Sequence, residues 1–163
     1  MELRDSEFIA EAKSTLNEDQ LKAFEGLIEF VNPTGDTLGI YKSNMITTAG
    51  YAGTGKTYMI SKFISTLVDA SIAMTAPTNK AVKVLIENKP EELGDVEYLT
   101  IHRLLALKMK WMYPKSGDKW KPFQKLVKVW GKDSQLNSYD ILIVDEVSML
   151  DDELFNLLVE QNK

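Results

Sequence analysis

The run Ala49-Gly50-Tyr51-Ala52-Gly53-Thr54-Gly55-Lys56-Thr57 constrains this chain more than any other feature. It fits G-x-x-x-x-G-K-[ST], a loop that folds around phosphate groups. Three glycines in six positions let the backbone turn tightly, so amide N–H groups can converge on an anion. The positive end of a following helix adds to the attraction. Lys56 is placed to reach β- and γ-phosphates, and the Thr57 hydroxyl to ligate Mg²⁺. Gly50, Ala52, Gly53, Thr54, Gly55, Lys56 and Thr57 are therefore the candidate nucleotide contacts, with ATP and Mg²⁺ as the expected cofactors. The flanks agree. Residues 41–48 predict a strand before the loop, and residues 58–68 have the apolar spacing of a helix after it. A chance Gly-rich turn explains neither flank.

A second segment points to hydrolysis. Tyr139-Asp140-Ile141-Leu142-Ile143-Val144-Asp145-Glu146 is an apolar run ending in two carboxylates. Four consecutive Ile, Leu and Val residues predict a strand buried on both faces of a parallel sheet. Unpaired charges cannot sit inside such a strand, so Asp145 and Glu146 mark its C-terminal edge. Ligands of open α/β sheets bind outside that edge. Lys56, Asp145 and Glu146 are the catalytic candidates. Asp145 joins Thr57 as a candidate Mg²⁺ ligand, and Glu146 is placed to polarise the attacking water. The bland alternative is a strand end with two solvated acids.

The chain has 163 residues, enough for one domain with a real core. It has no cysteine, which excludes disulfides, thiolate metal sites and cysteine nucleophiles. No apolar run approaches a membrane span, and the acidic N-terminus does not read as a secretory signal. The expected location is the cytoplasm, bacterial or that of a host, with no membrane partner. The net charge of −5 argues by itself against a nucleic-acid binder. The distribution argues the other way. Residues 108–132 hold eight lysines against the single acid Asp118, an excess of seven positive charges that leaves the remainder at −12. Trp111, Trp120 and Trp130 fall in the same window, with Tyr113 and Phe123. Lysines interleaved with aromatics suit single-stranded nucleic acid, where bases stack and phosphates are neutralised. The competing reading is a solvated basic face over core tryptophans.

The rest of the chain alternates strands and helices. Residues 1–12 read as a polar, partly helical lead. Residues 17–31 predict a helix with Asn17 as N-cap and Leu21, Phe24, Leu27, Ile28 and Val31 on one stripe. Asn32-Pro33-Thr34-Gly35-Asp36 ends it. Residues 71–75 predict a strand, and Thr78 caps a helix running to about Asn88. Residues 89–95 read as a loop and 100–107 as a short helix. Residues 108–113 and 119–123, flanking Pro114-Lys115-Ser116-Gly117-Asp118, predict a β-hairpin. The expected fold class is α/β, a parallel sheet covered by helices. His102, the single histidine, has no second histidine or cysteine to share a metal, so a local hydrogen-bonding role and a ligand contact stay open.

With these residues in view, the chain resembles the N-terminal RecA-like motor domain of superfamily 1 DNA helicases of the RecD-like, Dda-like group. The phosphate loop and the Asp145-Glu146 segment with Val147-Ser148-Met149 carry part of the likeness, and three further segments make it specific. Residues 16–24, Leu-Asn-Glu-Asp-Gln-Leu-Lys-Ala-Phe, resemble the adenine-reading element, which implies Gln20 on the base edge. Residues 75–82 resemble motif Ia, which implies DNA contact at Pro77, Thr78 and Asn79. Thr100-Ile101-His102 resembles the element that follows it, which implies DNA contact at His102.

The resemblance implies an ATP hydrolase that drives a helicase, moving 5′ to 3′ along single-stranded DNA towards a duplex fork. It implies a RecA-like ATPase domain from residues 1–107 and 133–163, with residues 108–132 inserted as a pin that splits the duplex. Trp111, Tyr113, Trp120 and Phe123 are the candidates for stacking there. DNA is expected at the end of the sheet opposite the nucleotide. The arginine fingers and later motifs belong to a second RecA-like domain, expected in cis or trans, so residues 1–163 are expected to turn over slowly alone. Replication or recombination proteins are the implied partners. Two alternatives keep the loop: another P-loop ATPase, such as a helicase loader or nucleotide switch, and a non-catalytic DNA-binding remnant.

Overall fold

The computed structural model describes residues 2–33, 44–90, 93, 95–113 and 122–161. The chain divides into two compact units, Met1–Ala70 with Lys89–Asp95, and Ser71–Asn88 with Val96–Lys163.

In the first unit, strand β1 (Glu2–Leu3) precedes helices α1 (Ser6–Ser14), α2 (Glu18–Val31) and α3 (Lys56–Ser65), and strand β2 (Leu67–Val68) follows. β1 and β2 pair antiparallel. α2 starts where its sequence says it should. Asn17 Oδ1 accepts from the Gln20 N–H at 3.0 Å, and Gln20 Oε1 accepts from the Asn17 N–H at 3.0 Å. This reciprocal capping box satisfies two of the orphan donors of a helix start. Phe24 and Leu27 are buried from the predicted stripe, as are Met59, Phe63 and Ile64 of α3. Residues 44–48 are irregular, not the predicted strand. The first three residues of that predicted strand, 41–43, lie outside the described residues.

In the second unit, β3 (Ile72–Ala76) leads to α4 (Asn79–Glu87), β4 (Val96–Thr100) and the single-turn α5 (Ile101–Leu104). A hairpin of β5 (Leu107–Met112) and β6 (Phe123–Lys128) follows, then β7 (Ile141–Val144) and α6 (Asp152–Gln161). The sheet has the order β4-β3-β7, parallel throughout. Central β3 is buried at all five positions. β7, with β3 on one side among the described residues, is half-buried at all four rather than fully buried. Leu99, Ile101, Leu104, Leu105, Leu107, Leu136, Leu154 and Leu158 form the core with Ala73. Hydrogen bonds between Ser71 and Asp140 tie the sheet entry, where Asp140 Oδ2 accepts from the Ser71 N–H at 2.9 Å and from the Ser71 hydroxyl at 2.7 Å. The two Ser71 hydrogen bonds hold the Asp140 carboxyl below its usual range.

The predicted helix over 100–107 is shorter than expected. Ala106 takes φ 51°, a left-handed conformation that ends the helical run and turns the chain into β5. β4 is an element that the sequence reading did not anticipate.

Candidate functional site

The phosphate loop opens α3. Gly53 and Gly55 adopt φ 77° and 76°, and Gly55 is the residue that precedes the first helical turn. A side chain is strained in that region of backbone space, so glycine is required there. Gly50 is tight for a different reason. A Cβ on it would lie 3.0 Å from Thr54 Oγ1 and 3.6 Å from Lys56 Cδ. Thr54 Oγ1 donates to the Tyr51 carbonyl at 2.9 Å, closing the loop on itself. Lys56 Nζ lies across the loop and donates to the Gly50 and Tyr51 carbonyls, each at 2.9 Å. Its ammonium is therefore held at the loop mouth by neutral acceptors. Thr57 follows as the second residue of α3, half-buried, with its carbonyl accepting from Ser61 Oγ at 2.8 Å. Ala52 is exposed in the loop, and Tyr51 is 89% exposed beside it. Gln20 reaches the same loop from α2, with Nε2 donating to the Thr54 carbonyl at 2.9 Å.

The carboxylates sit at the end of β7 in the second unit. The Asp145 N–H donates to the Thr75 carbonyl at 2.8 Å, which continues the β3–β7 ladder one step past the strand. Asp145 Oδ1 accepts from the Glu146 N–H at 3.0 Å. Glu146 has φ 52°, a left-handed glutamate, and its side chain is exposed. Such outliers cost about 1–3 kcal/mol and gather at functional sites. A 3-10 turn at Val147–Met149 follows.

A family model described as an AAA domain matches residues 37–163. The chain belongs to this family. Two curated proteins are also similar. Over 121 residues it is 34% identical to "Uncharacterized protein R530" of Acanthamoeba polyphaga mimivirus, covering 67% of this chain and 24% of that protein. Over 127 residues it is 30% identical to "RecBCD enzyme subunit RecD" of Buchnera aphidicola subsp. Schizaphis graminum (strain Sg), covering 67% of this chain and 19% of that protein. The chain spans about a quarter and a fifth of the length of these relatives. Family and relative together bear out the likeness to the N-terminal RecD-like motor domain and its α/β P-loop fold. The AAA family match makes this a P-loop domain of helicase-like type, a class that binds nucleotide.

The other predicted contacts of this AAA domain share one edge. Ala76 pairs with Thr100 in the parallel β3–β4 register, and Thr75 pairs with Val144 across β3–β7. Pro77, Thr78 and Asn79 therefore leave the C-terminal end of β3, as His102 leaves that of β4 and Asp145 that of β7. The residues predicted to meet DNA thus lie at the same sheet edge as Asp145, not at the end opposite it. Three parallel strands in this register send all of their following residues to one edge. Thr78 Oγ1 accepts from the Ala81 N–H at 3.1 Å, so it is the N-cap of α4, with Asn79 exposed next to it. His102 is half-buried in α5, whose N-cap Thr100 accepts from the Arg103 N–H at 3.2 Å.

The hairpin is present with its second strand about five residues later than predicted. Residues 114–121, which include the predicted turn at 114–118 and Trp120, lie outside the described residues. Cross-strand pairing separates two faces. Leu107 with Lys128, Met109 with Leu126, and Trp111 with Gln124 share one face. Lys108 with Val127, Lys110 with Lys125, and Met112 with Phe123 share the other. Leu107 is in the core and Leu126 packs against it, which anchors the first face at its base. Further out, Trp111, Tyr113 and Phe123 are each more than half exposed. These three are not core tryptophan or aromatic positions. Trp130 is the candidate that the sequence reading left unassigned: it is 97% exposed, in a turn where Gly131 has φ 73° and the Lys132 N–H donates to the Val129 carbonyl at 3.2 Å. Its place between Lys128 and Lys132 was the available signal.

Among the described residues no cluster of three His, Asp or Glu could hold a metal ion. None of their helices is long and apolar enough to cross a membrane.

Proposed function

We propose that this chain is the N-terminal motor domain of an ATP-dependent DNA helicase that moves along single-stranded DNA, 5′ to 3′. One observation carries the reading: left-handed Gly53 and Gly55 shape a loop at the mouth of α3, and Lys56 Nζ lies over that loop. The loop suits a triphosphate because it combines helix-terminal amides with a lysine ammonium lying over it. Thr57 and Asp145 each offer an oxygen of the kind that Mg²⁺ takes, a hard cation that binds one or two protein oxygens and fills its shell with water and phosphate. Bound ATP supplies the phosphoryl group whose transfer to water drives movement. Lys56 holds the β- and γ-phosphates, and Glu146 orients and polarises the attacking water.

In the same reading Pro77, Thr78, Asn79 and His102 carry the DNA backbone. Residues 108–132 form an inserted pin whose Trp111, Tyr113 and Phe123 stack at the fork, within an ATPase domain of residues 1–107 and 133–163. A second RecA-like domain, in cis or trans, completes the cleft and supplies the arginine fingers. Replication or recombination proteins are the partners that such a motor serves.

The test is ATP turnover with and without single-stranded DNA, by the wild type and by Glu146→Gln, each paired with its second domain. The wild type is expected to be stimulated by DNA. The Glu146→Gln protein is expected to keep ATP binding and lose turnover. ATP hydrolysis indifferent to DNA would favour a loader or switch instead.

A further inference from the structure

The Gln20 carboxamide is engaged at both ends. Its oxygen accepts from the Asn17 N–H at 3.0 Å, inside the capping box of α2. Its nitrogen donates to the Thr54 carbonyl at 2.9 Å and is directed at the Gly55 carbonyl at 3.5 Å. The amide nitrogen, a donor only, thus faces the phosphate loop. The fit is close. A Cβ on Gly55 would collide with Gln20 Nε2. A side chain at 55 would therefore displace the Gln20 carboxamide from the loop. An adenine edge offers an N6 donor and an N7 acceptor, so a glutamine that reads it uses the same two functions that Gln20 already spends within the protein.

We propose that Gln20 is a positioning residue for the phosphate loop: it holds the Thr54–Gly55 backbone from a fixed point on α2, whatever base the nucleotide carries. This rests on the nucleotide-binding reading above. The Asn17 cap fixes the Gln20 oxygen, which aims the nitrogen at the loop. The Thr54 carbonyl then points toward α2, and the Gly55 N–H of the same peptide is left for the phosphates with the loop's other amides, while the Gly55 carbonyl is held chiefly by the Met59 N–H at 3.0 Å. Loss of the hold lets the loop sample conformations in which those amides no longer converge. Such a loss weakens any polyphosphate ligand, with or without a base.

Two substitutions separate the hold from the cap. Gln20→Glu keeps a carboxyl oxygen for the Asn17 N–H, since glutamate also completes a capping box, and removes the donor that faces the loop. Gln20→Met removes both polar ends without adding charge. Each variant is titrated calorimetrically with ATP, GTP and inorganic tripolyphosphate. Amide hydrogen exchange across residues 50–57 is measured in the ligand-free protein. A hydrogen bond of ordinary net strength corresponds to a loss of about three- to tenfold. Both variants are expected to lose that factor for all three ligands alike, and to exchange faster across the loop, while Gln20→Glu, which keeps the cap, melts no lower than Gln20→Met. A loss confined to ATP would make Gln20 a base reader and overturn the proposal. So would a loss in Gln20→Glu absent from Gln20→Met, which would be charge repulsion. Unchanged exchange in both variants would overturn it too. Exchange decides the matter even if the wild type bound none of the three ligands, a result that would defeat the nucleotide reading instead.

Discussion

Replacing Gly53 and Gly55 by alanine, one at a time, separates backbone strain from side-chain contact. Both glycines have nearly the same φ, 77° and 76°. An L-residue in that region costs about 1–2 kcal/mol. Alanine also narrows the unfolded ensemble, which returns about 0.4–1 kcal/mol. Gly53→Ala is then destabilising by about 1 kcal/mol, because nothing lies within 4 Å of the added methyl. Gly55→Ala carries a second cost. Its methyl falls on the end of the Gln20 side chain, which is flexible and moves aside. The cost is therefore not steric overlap but the loop hydrogen bond that Gln20 gives up, about 0.5–1.5 kcal/mol. The expected total is about 2 kcal/mol. For a chain of this size each kcal/mol lowers the melting temperature by about 2–4 °C. Thermal unfolding should show Gly55→Ala falling about twice as far as Gly53→Ala. Adding Gln20→Met to Gly55→Ala should cost less than the sum of the two, since the contact is already lost. Equal shifts for the two glycines, or full additivity in the double variant, would refute the reasoning.

Three other predictions follow from the geometry. Lys56→Ala removes the cation at the loop mouth, and hydrogen bonds to charged groups are worth about 1.5–3 kcal/mol, so calorimetry should show Mg·ATP affinity falling by about one to two orders of magnitude with the fold intact. Trp111→Ala and Phe123→Ala change side chains on opposite hairpin faces, both more than half exposed; base stacking is worth about 1–3 kcal/mol, so at least one should weaken single-stranded DNA binding in a fluorescence titration without lowering thermal stability, and unfolding by both would return the cluster to the core. Asp140 has a depressed carboxyl pKa in the folded state, so its contribution to stability is present above the ordinary aspartate range and is lost as pH falls through the lower folded value; Asp140→Asn should flatten the acid limb of the stability curve, which pH-dependent denaturation measures.

Elements with local chemical punctuation were legible in the sequence. Asn17 and Gln20 announce α2, Thr78 announces α4, and the Ile141–Val144 run announces β7. The loop glycines were legible because left-handed backbone demands them. What was hidden depends on neighbours. β4 has an exposed, half-buried, buried mixture and exists because β3 lies beside it. The end of α5 rests on a left-handed Ala106, where no glycine marks the turn. The Gln20 hold was invisible because the residues that it joins are 34 positions apart. Hairpin register shifted because alternating Lys and aromatic residues fit either face until Leu107 and Leu126 are packed into the core. Tyr139 shows the same dependence. Burial first, then its 2.5 Å hydrogen bond to Glu97, pushes its phenol up to about 12, with Arg103 opposing. Nothing in the residues flanking Tyr139 names Glu97.

In the proposed mechanism the left-handed Glu146 sets stability and chemistry against each other at one position. Glycine there would relax the backbone by about 1 kcal/mol or more, and asparagine would relieve part of the same strain. Either would remove the carboxylate. A library of variants sorted for heat resistance alone should therefore enrich small or amide residues at 146, and its most robust members would bind nucleotide without turning it over. Stabilising this domain for biophysical work calls for leaving that residue alone and improving the fold elsewhere.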